Sequence, residues 1–293
     1  MVGMGARIGK YLSLVKFSHS VFALPFALQG AWLAGRGTPP VATLFWIGVS
    51  AVSARTAAMA FNRLVDRDVD AQNPRTRMRE LPSGVLTPRA VGTLVVLAAA
   101  LFVASAFRLN TLAGWLSLPV LAVLLGYSLL KRVSFLAHAG LGLALALAPL
   151  GAWIAVRGEL GAGLAPVSFL AAAVWTWVVG FDLIYSCQDV EFDRDARLHS
   201  FPARFGVAST LRASALLHTA TVAALGLVIW SADLGPPYAV AVACAALLLA
   251  WEHAIVRPED LSRVNVAFFT INGWVGVALF AGLLVDFELR GGA

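Results

Sequence analysis

The chain has 293 residues, of which 59% are hydrophobic and only 13% are charged, and its mean hydropathy is +0.80. This composition excludes an ordinary soluble domain and indicates an integral membrane protein. The formal net charge of +6 comes from basic residues in short loops and not from a separate basic domain, so nucleic acid is not an expected partner. The two cysteines are too few and too far apart for a zinc site or a disulfide framework.

Apolar segments long enough to cross a membrane follow one another along the chain, since a spanning helix needs about 20 mostly apolar residues. No Pro/Ser-rich linker and no strand-like alternation interrupts them. We therefore predict an all-α polytopic membrane protein, in which residues 1–293 form a single domain. The nine predicted spans are 11–34, 41–62, 89–107, 111–130, 135–156, 164–185, 208–231, 236–256 and 264–286.

The basic residues are distributed unevenly between the loops. Most of the 22 Lys and Arg residues fall on one side of the membrane if the N-terminus is cytoplasmic. Positive charge marks the cytoplasmic side of a bacterial inner-membrane protein. We therefore predict that the N-terminus and two charged segments face the cytoplasm, where basic residues would also meet anionic lipid headgroups.

The first charged segment, FNRLVDRDVDAQNPRTRMRELPSG at 61–84, follows the second predicted span. Asn62, Asp66 and Asp70 recur at four-residue spacing, so they share one face if the helix continues past the membrane surface. Carboxylates at this spacing repel each other, and a bound cation would relieve the repulsion. Arg75 and Arg79 follow and are suited to binding anionic oxygens.

A second charged segment, DLIYSCQDVEFDRD, ends the sixth predicted span. Asp182, Tyr185, Asp189 and Asp193 follow at intervals of three, four and four, and Arg194 comes next. This pattern places a second carboxylate face on a different helix at the same side of the membrane.

Two carboxylate pairs at one membrane surface are typical of a magnesium site that holds a diphosphate. Mg²⁺ prefers oxygen ligands and usually binds one or two carboxylates together with substrate phosphates. The pattern therefore predicts Mg²⁺ at Asp66, Asp70, Asp189 and Asp193. A diphosphate held by metal and basic side chains is a good leaving group, because its developing charge is stabilised.

Other polar residues near this surface have competing interpretations. Tyr127 and Lys131, in GYSLLKR, share a helix face from which Lys131 could reach a phosphate, and snorkelling of Lys131 to lipid headgroups is the alternative. Asp68, Glu191 and Asp195 point off the carboxylate faces, and for them we favour a solvated surface.

Arg55 and Asp182 lie inside predicted spans, where an ionisable residue is costly and is normally functional or paired. Arg55 lies two helical turns before Asn62 on nearly the same face. It could receive an anionic group of a second substrate, and an ion pair with Asp182 is the equally supported alternative.

Together these residues resemble the UbiA superfamily of intramembrane prenyltransferases. Its first motif, an Asn and two Asp at four-residue spacing before an Arg-rich stretch ending in LPSG, matches Asn62, Asp66, Asp70 and RTRMRELPSG. The second motif matches DLIYSCQDVEFDRD, and the element between the motifs matches Tyr127 and Lys131. The resemblance implies a magnesium-dependent enzyme with nine transmembrane helices around a central cavity.

Some features make the chain similar to one bacterial branch of this family. Arg63 stands where many members carry Asp, and Glu80 stands where many carry Pro. Together with the segments VKFSHSVFALPFAL and RLHSFPARFG, these two residues make the chain similar to 4-hydroxybenzoate polyprenyltransferase-like enzymes. Those enzymes are associated with quinone biosynthesis, including the futalosine route to menaquinone. This implies transfer of a polyprenyl chain from its diphosphate to 4-hydroxybenzoate or a dihydroxynaphthoate in ubiquinone or menaquinone biosynthesis.

The family's functional residues carry over by position in the motifs. The resemblance implies Mg²⁺ at the four motif aspartates, a place among the catalytic residues for Asp182 and Tyr185, and binding of the acceptor by Arg55. The implied diphosphate-binding residues are Asn62, Tyr127, Lys131, Arg75, Arg79 and Arg194.

Two other classes of protein remain as alternatives. A membrane cation transporter with a cytoplasmic carboxylate site also places acidic residues on spans, although usually near the midplane of the bilayer. A phosphatidyl-alcohol transferase also binds metal through aspartates, but its glycine-rich aspartate motif is missing here. The sequence leaves the acceptor, the prenyl chain length and the oligomeric state open.

Overall fold

The computed structural model describes residues 4–15, 23–161 and 163–291. In these ranges helices are joined by loops and turns without a β-strand, so the predicted all-α class is confirmed. A 3₁₀ turn, Cys187–Asp189, links α8 to α9, and a π-helical turn, Val266–Ile271, precedes α13. The α-helices are α1 Met4–Leu14, α2 Leu24–Gly35, α3 Val41–Val65, α4 Arg67–Gln72, α5 Pro88–Leu109, α6 Thr111–Leu130, α7 Ala137–Arg157, α8 Leu164–Ser186, α9 Val190–Asp195, α10 Phe201–Phe205, α11 Val207–Ala232, α12 Pro236–Ile255 and α13 Asn272–Gly291.

Eight helical segments in the described ranges are long and apolar enough to cross a membrane, one fewer than predicted. The difference lies at the predicted span 11–34. This span overlaps the end of α1 and most of α2, which has only 12 residues, and its residues 16–22, with part of VKFSHSVFALPFAL, lie outside the described ranges. The remaining predicted spans each match one segment, with ends that differ by a few residues.

Polar side chains and prolines mark the ends of several spans. The Thr87 hydroxyl accepts a hydrogen bond from the backbone N–H of Ala90 at 3.3 Å, and Pro88 opens α5. Asn110 caps α6 by accepting from the N–H of Ala113 at 2.8 Å, and its amide donates to Ile154 O at 2.9 Å near the end of α7. Asn110 therefore both starts a helix and ties it to a neighbour.

The core of the bundle is built around α8, whose segment is the most buried of the eight. This helix packs against α7 and α11, while α3 packs against α5 and α2 packs against α7. Trp177 of α8 is 1% exposed and contacts the rings of Phe26 and Phe181, each with ring centroids 4.9 Å apart. Close packing of this kind supplies most of the attraction between helices in lipid, where the hydrophobic effect contributes little.

A glycine sets the distance between α2 and α7. A Cβ atom added at Gly30 would lie 2.2 Å from the carbonyl oxygen of Pro149, which is backbone and cannot move aside. We expect Gly30→Ala to lower the free energy of unfolding by about 1–3 kcal/mol or more through overpacking. Thermal unfolding in detergent measures this loss. Gly48→Ala is the matched control because nothing lies within 4 Å of its added Cβ, and an equal loss in both variants would contradict the prediction.

A large apolar cavity of about 640 Å³ lies inside the bundle. It is bounded mainly by α2, α3, α5, α6 and α7, and most of its lining side chains are aliphatic. The polar residues in this lining are Ser50, Arg55, Ser117, Tyr127 and Ser168. The fold thus provides a space for an apolar molecule and only a few places where it can form polar contacts.

Candidate active site

Three loop regions that are far apart in sequence meet at one end of the bundle. The N–H of His199 donates to Lys131 O at 3.1 Å, and the Arg132 guanidinium donates to Val65 O at 2.6 Å. Between these regions lies a polar cavity of about 90 Å³. Its lining residues are Asp66, Val69, Asp70, Asn73, Arg75, Thr76, Arg79, Lys131, Arg132, Asp189, Phe192 and Leu198.

The helix that carries the first motif is interrupted at Asp66, which corrects the expected continuous helix. Asp66 ends α3 and precedes α4, with a backbone conformation (φ −84°, ψ 3°) outside the helical range. The i to i+4 backbone hydrogen bonds between the motif residues are nevertheless retained. The N–H of Asp66 donates to Asn62 O at 2.9 Å, and the N–H of Asp70 donates to Asp66 O at 2.7 Å.

Each carboxylate of the first motif has a polar partner. The Asn62 amide donates to Asp66 Oδ2 at 3.0 Å, and Arg132 Nη2 lies 3.8 Å from Asp66 Oδ1. Arg79 Nη1 donates to both oxygens of Asp70, at 2.7 and 2.9 Å. Burial, and then repulsion from the Asp70 carboxylate, raise the pKa of Asp66 above its usual value. A cation bound here would stabilise both carboxylates.

The second motif is connected to the first through Asp189. Arg75 forms a two-point ion pair with Asp189, with Nε 2.9 Å from Oδ1 and Nη2 in contact with Oδ2. Asn73 donates its amide to Asp189 Oδ1 at 3.0 Å. Arg75 also donates through Nη1 to Tyr185 Oη at 2.9 Å. One arginine therefore orients a carboxylate and a phenol of the other motif.

Tyr185→Phe tests this linkage because it removes the phenol oxygen and leaves the ring in place. A hydrogen bond to a charged group contributes about 1.5–3 kcal/mol. We expect kcat of the reaction at this site to fall about 10-fold because Arg75 loses one of its anchors. Steady-state kinetics with purified protein measure the change, and an unaltered kcat would show that the Tyr185 hydroxyl has no part in orienting Arg75.

The last carboxylate of the second motif is deeply buried. Asp193 is 1% exposed, and Lys131 Nζ lies 2.8 Å from its Oδ1. Arg194 is placed differently from the prediction. Arg194 is exposed, and its Nε donates a hydrogen bond to Ala203 O at 3.3 Å in the following α10. It is not among the residues that line the polar cavity. Neighbours in sequence thus have different surroundings, because α9 turns one side chain inward and the next outward.

The side chains predicted to lie off the carboxylate faces do so. Asp68 is exposed and pairs with its neighbour Arg67, with 2.9 Å between Nε and Oδ1. Glu191 and Asp195 are also exposed. The helical spacing therefore separates the inward carboxylates from the solvated ones correctly.

The alternative ion pair of Arg55 with Asp182 is not formed. Asp182 instead pairs with His138, whose Nδ1 lies 2.7 Å from Asp182 Oδ2. Arg55 lines the large apolar cavity together with Tyr127, and its Nε is buried without a hydrogen-bond partner in the described part of the chain. The position of Tyr127 in that lining also sets it apart from the polar cavity, where a diphosphate-binding residue would be expected.

The donor set at the polar cavity fits magnesium. Asp66, Asp70 and Asp189 in its lining supply hard oxygen ligands, and Asn62, outside the lining, contacts Asp66 through its amide. In ranges 4–15, 23–161 and 163–291, no three Asp, Glu, His or Cys side chains lie close enough to hold one ion. An ion here would bind one or two carboxylates and complete its coordination with water and substrate phosphates, as Mg²⁺ commonly does.

Several residues of this region were not found from the sequence. Asn73 lies between Asp70 and the Arg-rich stretch of the first motif, and its burial could have been inferred only from its partner Asp189. His138 is separated from its partner Asp182 by 44 positions. Phe268 packs on Tyr185, with ring centroids 4.2 Å apart, because the π-helical turn places it there. No local pattern in the sequence indicates such contacts.

Comparison with known proteins relates this arrangement to a family. The model of the UbiA prenyltransferase family matches residues 23–274. A 4-hydroxybenzoate octaprenyltransferase from Xanthomonas oryzae pv. oryzae is 33% identical over 285 residues, which cover 95% of this chain and 93% of that protein.

Solved structures agree with the sequence match. The apo structure of a UbiA homologue from Aeropyrum pernix K1 is 37% identical and has a TM-score of 0.84, over 92% of this chain and 98% of that one. A UbiA homologue from Archaeoglobus fulgidus, bound to GPP and Mg²⁺, shares the fold with a TM-score of 0.63 at 18% identity, over 92% and 99% of the two chains. The chain is thus an integral membrane protein that belongs to the UbiA prenyltransferase family, and the aromatic prenyltransferase class predicted from its motifs is confirmed.

Proposed function

We propose that this enzyme transfers a polyprenyl chain from polyprenyl diphosphate to an aromatic carboxylic acid, 4-hydroxybenzoate or a dihydroxynaphthoate, with Mg²⁺ as cofactor. The observation that carries the proposal is the arrangement of two cavities. A polar cavity lined by carboxylates and bases lies at one end of the helix bundle. A separate apolar cavity, lined in part by Arg55, whose Nε is buried, lies in the interior of the bundle. A diphosphate ester of a long hydrocarbon requires both environments.

The polar cavity supplies the groups that a diphosphate needs. Lys131, Arg75 and Arg79 carry positive charge toward it, and each already contacts a motif carboxylate. Charge-assisted hydrogen bonds from such groups stabilise the negative charge that grows on a departing diphosphate. Mg²⁺ at the motif aspartates would add Lewis-acid stabilisation of the same oxygens. The Archaeoglobus relative was solved with GPP and Mg²⁺, which supports this cofactor.

The apolar cavity suits the hydrocarbon and the ring of the acceptor. Breaking the allylic C–O bond leaves a carbocation that water would quench, and an aliphatic lining keeps water away. The Arg55 guanidinium would bind the carboxylate of the acid, which satisfies a buried charge and orients the ring. The Xanthomonas relative is named for 4-hydroxybenzoate, an acid of this kind.

We also place the enzyme in the bacterial inner membrane with its polar cavity toward the cytoplasm, as one domain that contacts lipid. The three segments around this cavity, 66–87, 131–136 and 187–206, carry nine of the 22 Lys and Arg residues, and such a concentration is expected of the cytoplasmic side. Reaction of single cysteines in the loop 73–87 with an impermeant thiol reagent, in intact cells and in inverted vesicles, tests the orientation. Labelling in intact cells would contradict it.

Transfer of radiolabelled polyprenyl diphosphate by the purified protein tests the proposed reaction. The acceptors would be 4-hydroxybenzoate, several dihydroxynaphthoates and none, each with Mg²⁺ or with EDTA. Magnesium-dependent labelling of one acid supports the proposal and identifies the acceptor. No transfer by folded protein, together with Mg²⁺ flux in proteoliposomes, would favour the cation transporter instead.

A further inference from the structure

A buried histidine and a partly buried aspartate form a pair that the proposed binding roles leave unused. His138 lies in the first turn of α7 and Asp182 lies in the last third of α8, and His138 Nδ1 is 2.7 Å from Asp182 Oδ2. An ionised carboxylate can only accept a hydrogen bond, so Nδ1 carries the hydrogen in this pair. The lone pair of the neutral imidazole is then on Nε2.

The Nε2 atom of His138 has no hydrogen-bond partner among the described residues, and it is buried. Buried polar atoms nearly always have a partner in the protein, in ordered water or in a ligand. His138 as a whole is only 8% exposed, so its basic nitrogen is shielded from bulk solvent. A lone pair in this position is suited to accept a hydrogen from a molecule bound beside it.

Helical spacing relates the pair to both cavities. Leu141, Leu145 and Ala148 line the apolar cavity and follow His138 at helical spacing on α7, so His138 continues their face toward the polar end. Tyr185 of α8 and Asp189 of the 3₁₀ turn after it follow Asp182 at intervals of three and four residues. The pair therefore joins the α7 face that lines the apolar cavity to the α8 face that leads to Asp189 of the polar cavity.

An electrostatic neighbour supports this location. The Tyr127 phenol, which lines the apolar cavity, interacts electrostatically with Arg55, Asp182 and Asp66. Asp182 thus lies near Tyr127, which lines the apolar cavity together with Arg55. Among the described residues that line the apolar cavity, Arg55 and Tyr127 are the titratable ones, and neither offers a basic lone pair.

We infer that His138 is the general base that takes the proton from the aromatic ring of the acceptor, and that Asp182 is the positioning residue that holds its imidazole. The inference rests on the proposed function. It assigns a role to a histidine outside both motifs and a definite role to Asp182.

The reaction is balanced without a further reactant. The C–O bond of the allylic diphosphate breaks, and its electron pair leaves with the diphosphate. The ring carbon next to the phenolic hydroxyl donates a pair to the allylic carbon, which forms the new C–C bond and leaves a cationic ring. His138 Nε2 takes the proton from that carbon and the C–H electrons restore aromaticity, while the Asp182 carboxylate stabilises the imidazolium.

A kinetic isotope effect tests the role of His138 directly. The acid that the wild type prenylates is used with hydrogen or deuterium at the reacting ring carbon, for example 3,5-dideuterated 4-hydroxybenzoate. In His138→Gln we expect kcat to fall about 100-fold, because a positioned general base typically accelerates a reaction by a factor of about 10²–10⁴. The isotope effect on kcat should rise above about 2 because proton loss becomes rate-limiting, while the KM of either substrate changes by less than about threefold.

A second variant keeps the test decisive if His138→Gln does not fold. Asp182→Asn retains an acceptor for Nδ1–H without the charge, and we expect kcat to fall about 10-fold with a raised isotope effect. His218→Gln is the control, since His218 is also buried and hydrogen-bonded but contacts His253 and Trp177 on the far side of α8. The control should keep kcat within about threefold and show no isotope effect.

The outcomes separate the inference from the proposed function. If the wild type prenylates an acid but His138→Gln or Asp182→Asn keeps its kcat and shows no isotope effect, the assigned base is wrong. A rise in acceptor KM at unchanged kcat would show that His138 binds the acceptor and does not take its proton. If the wild type prenylates no acid at all, the proposed function fails and the inference fails with it.

Discussion

Asp66→Asn and Asp189→Asn are each expected to lower kcat for prenyl transfer by at least about 100-fold. That loss corresponds to about 2.7 kcal/mol of transition-state stabilisation, within the several kcal/mol that a metal ion contributes to a charged leaving group. Asn keeps the shape of the side chain and one oxygen acceptor, so the amide of Asn62 keeps its partner in the first variant. The change therefore removes charge with little change in packing.

Kinetics over a range of Mg²⁺ concentrations distinguish a metal ligand from a residue that only orients its neighbours. Each variant should require a higher Mg²⁺ concentration for half-maximal rate. Asp68→Asn is the matched control, because Asp68 is in the same segment but is exposed and pairs only with Arg67 among the described residues. Rates close to the wild type at every Mg²⁺ concentration in either variant would refute the assigned metal role.

Arg55→Ala is expected to raise the KM for the aromatic acid about 100-fold and to leave the KM for the prenyl diphosphate within about threefold. Removing one partner of a buried charge pair costs about 2–5 kcal/mol, because the other charge is left buried and unpaired. Arg55 lines the apolar cavity with its Nε unpartnered, and it is two helical turns from Asn62. The acceptor should therefore depend on it and the diphosphate should not.

A double-mutant cycle isolates this contact. The acid is compared with its carboxamide, using the wild type and Arg55→Ala. The wild type should strongly prefer the acid, and the variant should show almost no preference because the group that detects the carboxylate is gone. Arg55→Lys keeps a charge without the planar fork and should show an intermediate preference. Equal losses for donor and acceptor in Arg55→Ala would exclude the assigned role.

Local patterns in the sequence were sufficient to predict the class, most spans and the inward carboxylates. Hydrophobic runs specify spans because lipid excludes unpaired backbone groups. Four-residue spacing placed Asp66 and Asp70 inward and Asp68 outward, since helical periodicity needs no knowledge of other helices.

Only the tertiary structure decided which polar groups meet. Asp182 pairs with His138 and not with Arg55, and Asp189 pairs with Arg75, 114 positions away. Such partners depend on how α3, α7 and α8 cross and on how the loops close over the polar cavity. Two residues on different helices can each satisfy a local rule and still lie on opposite sides of the bundle. The sequence by itself therefore predicted most of the candidate site residues, and helix packing determined their contacts, because contact between distant segments depends on distances that no local period encodes.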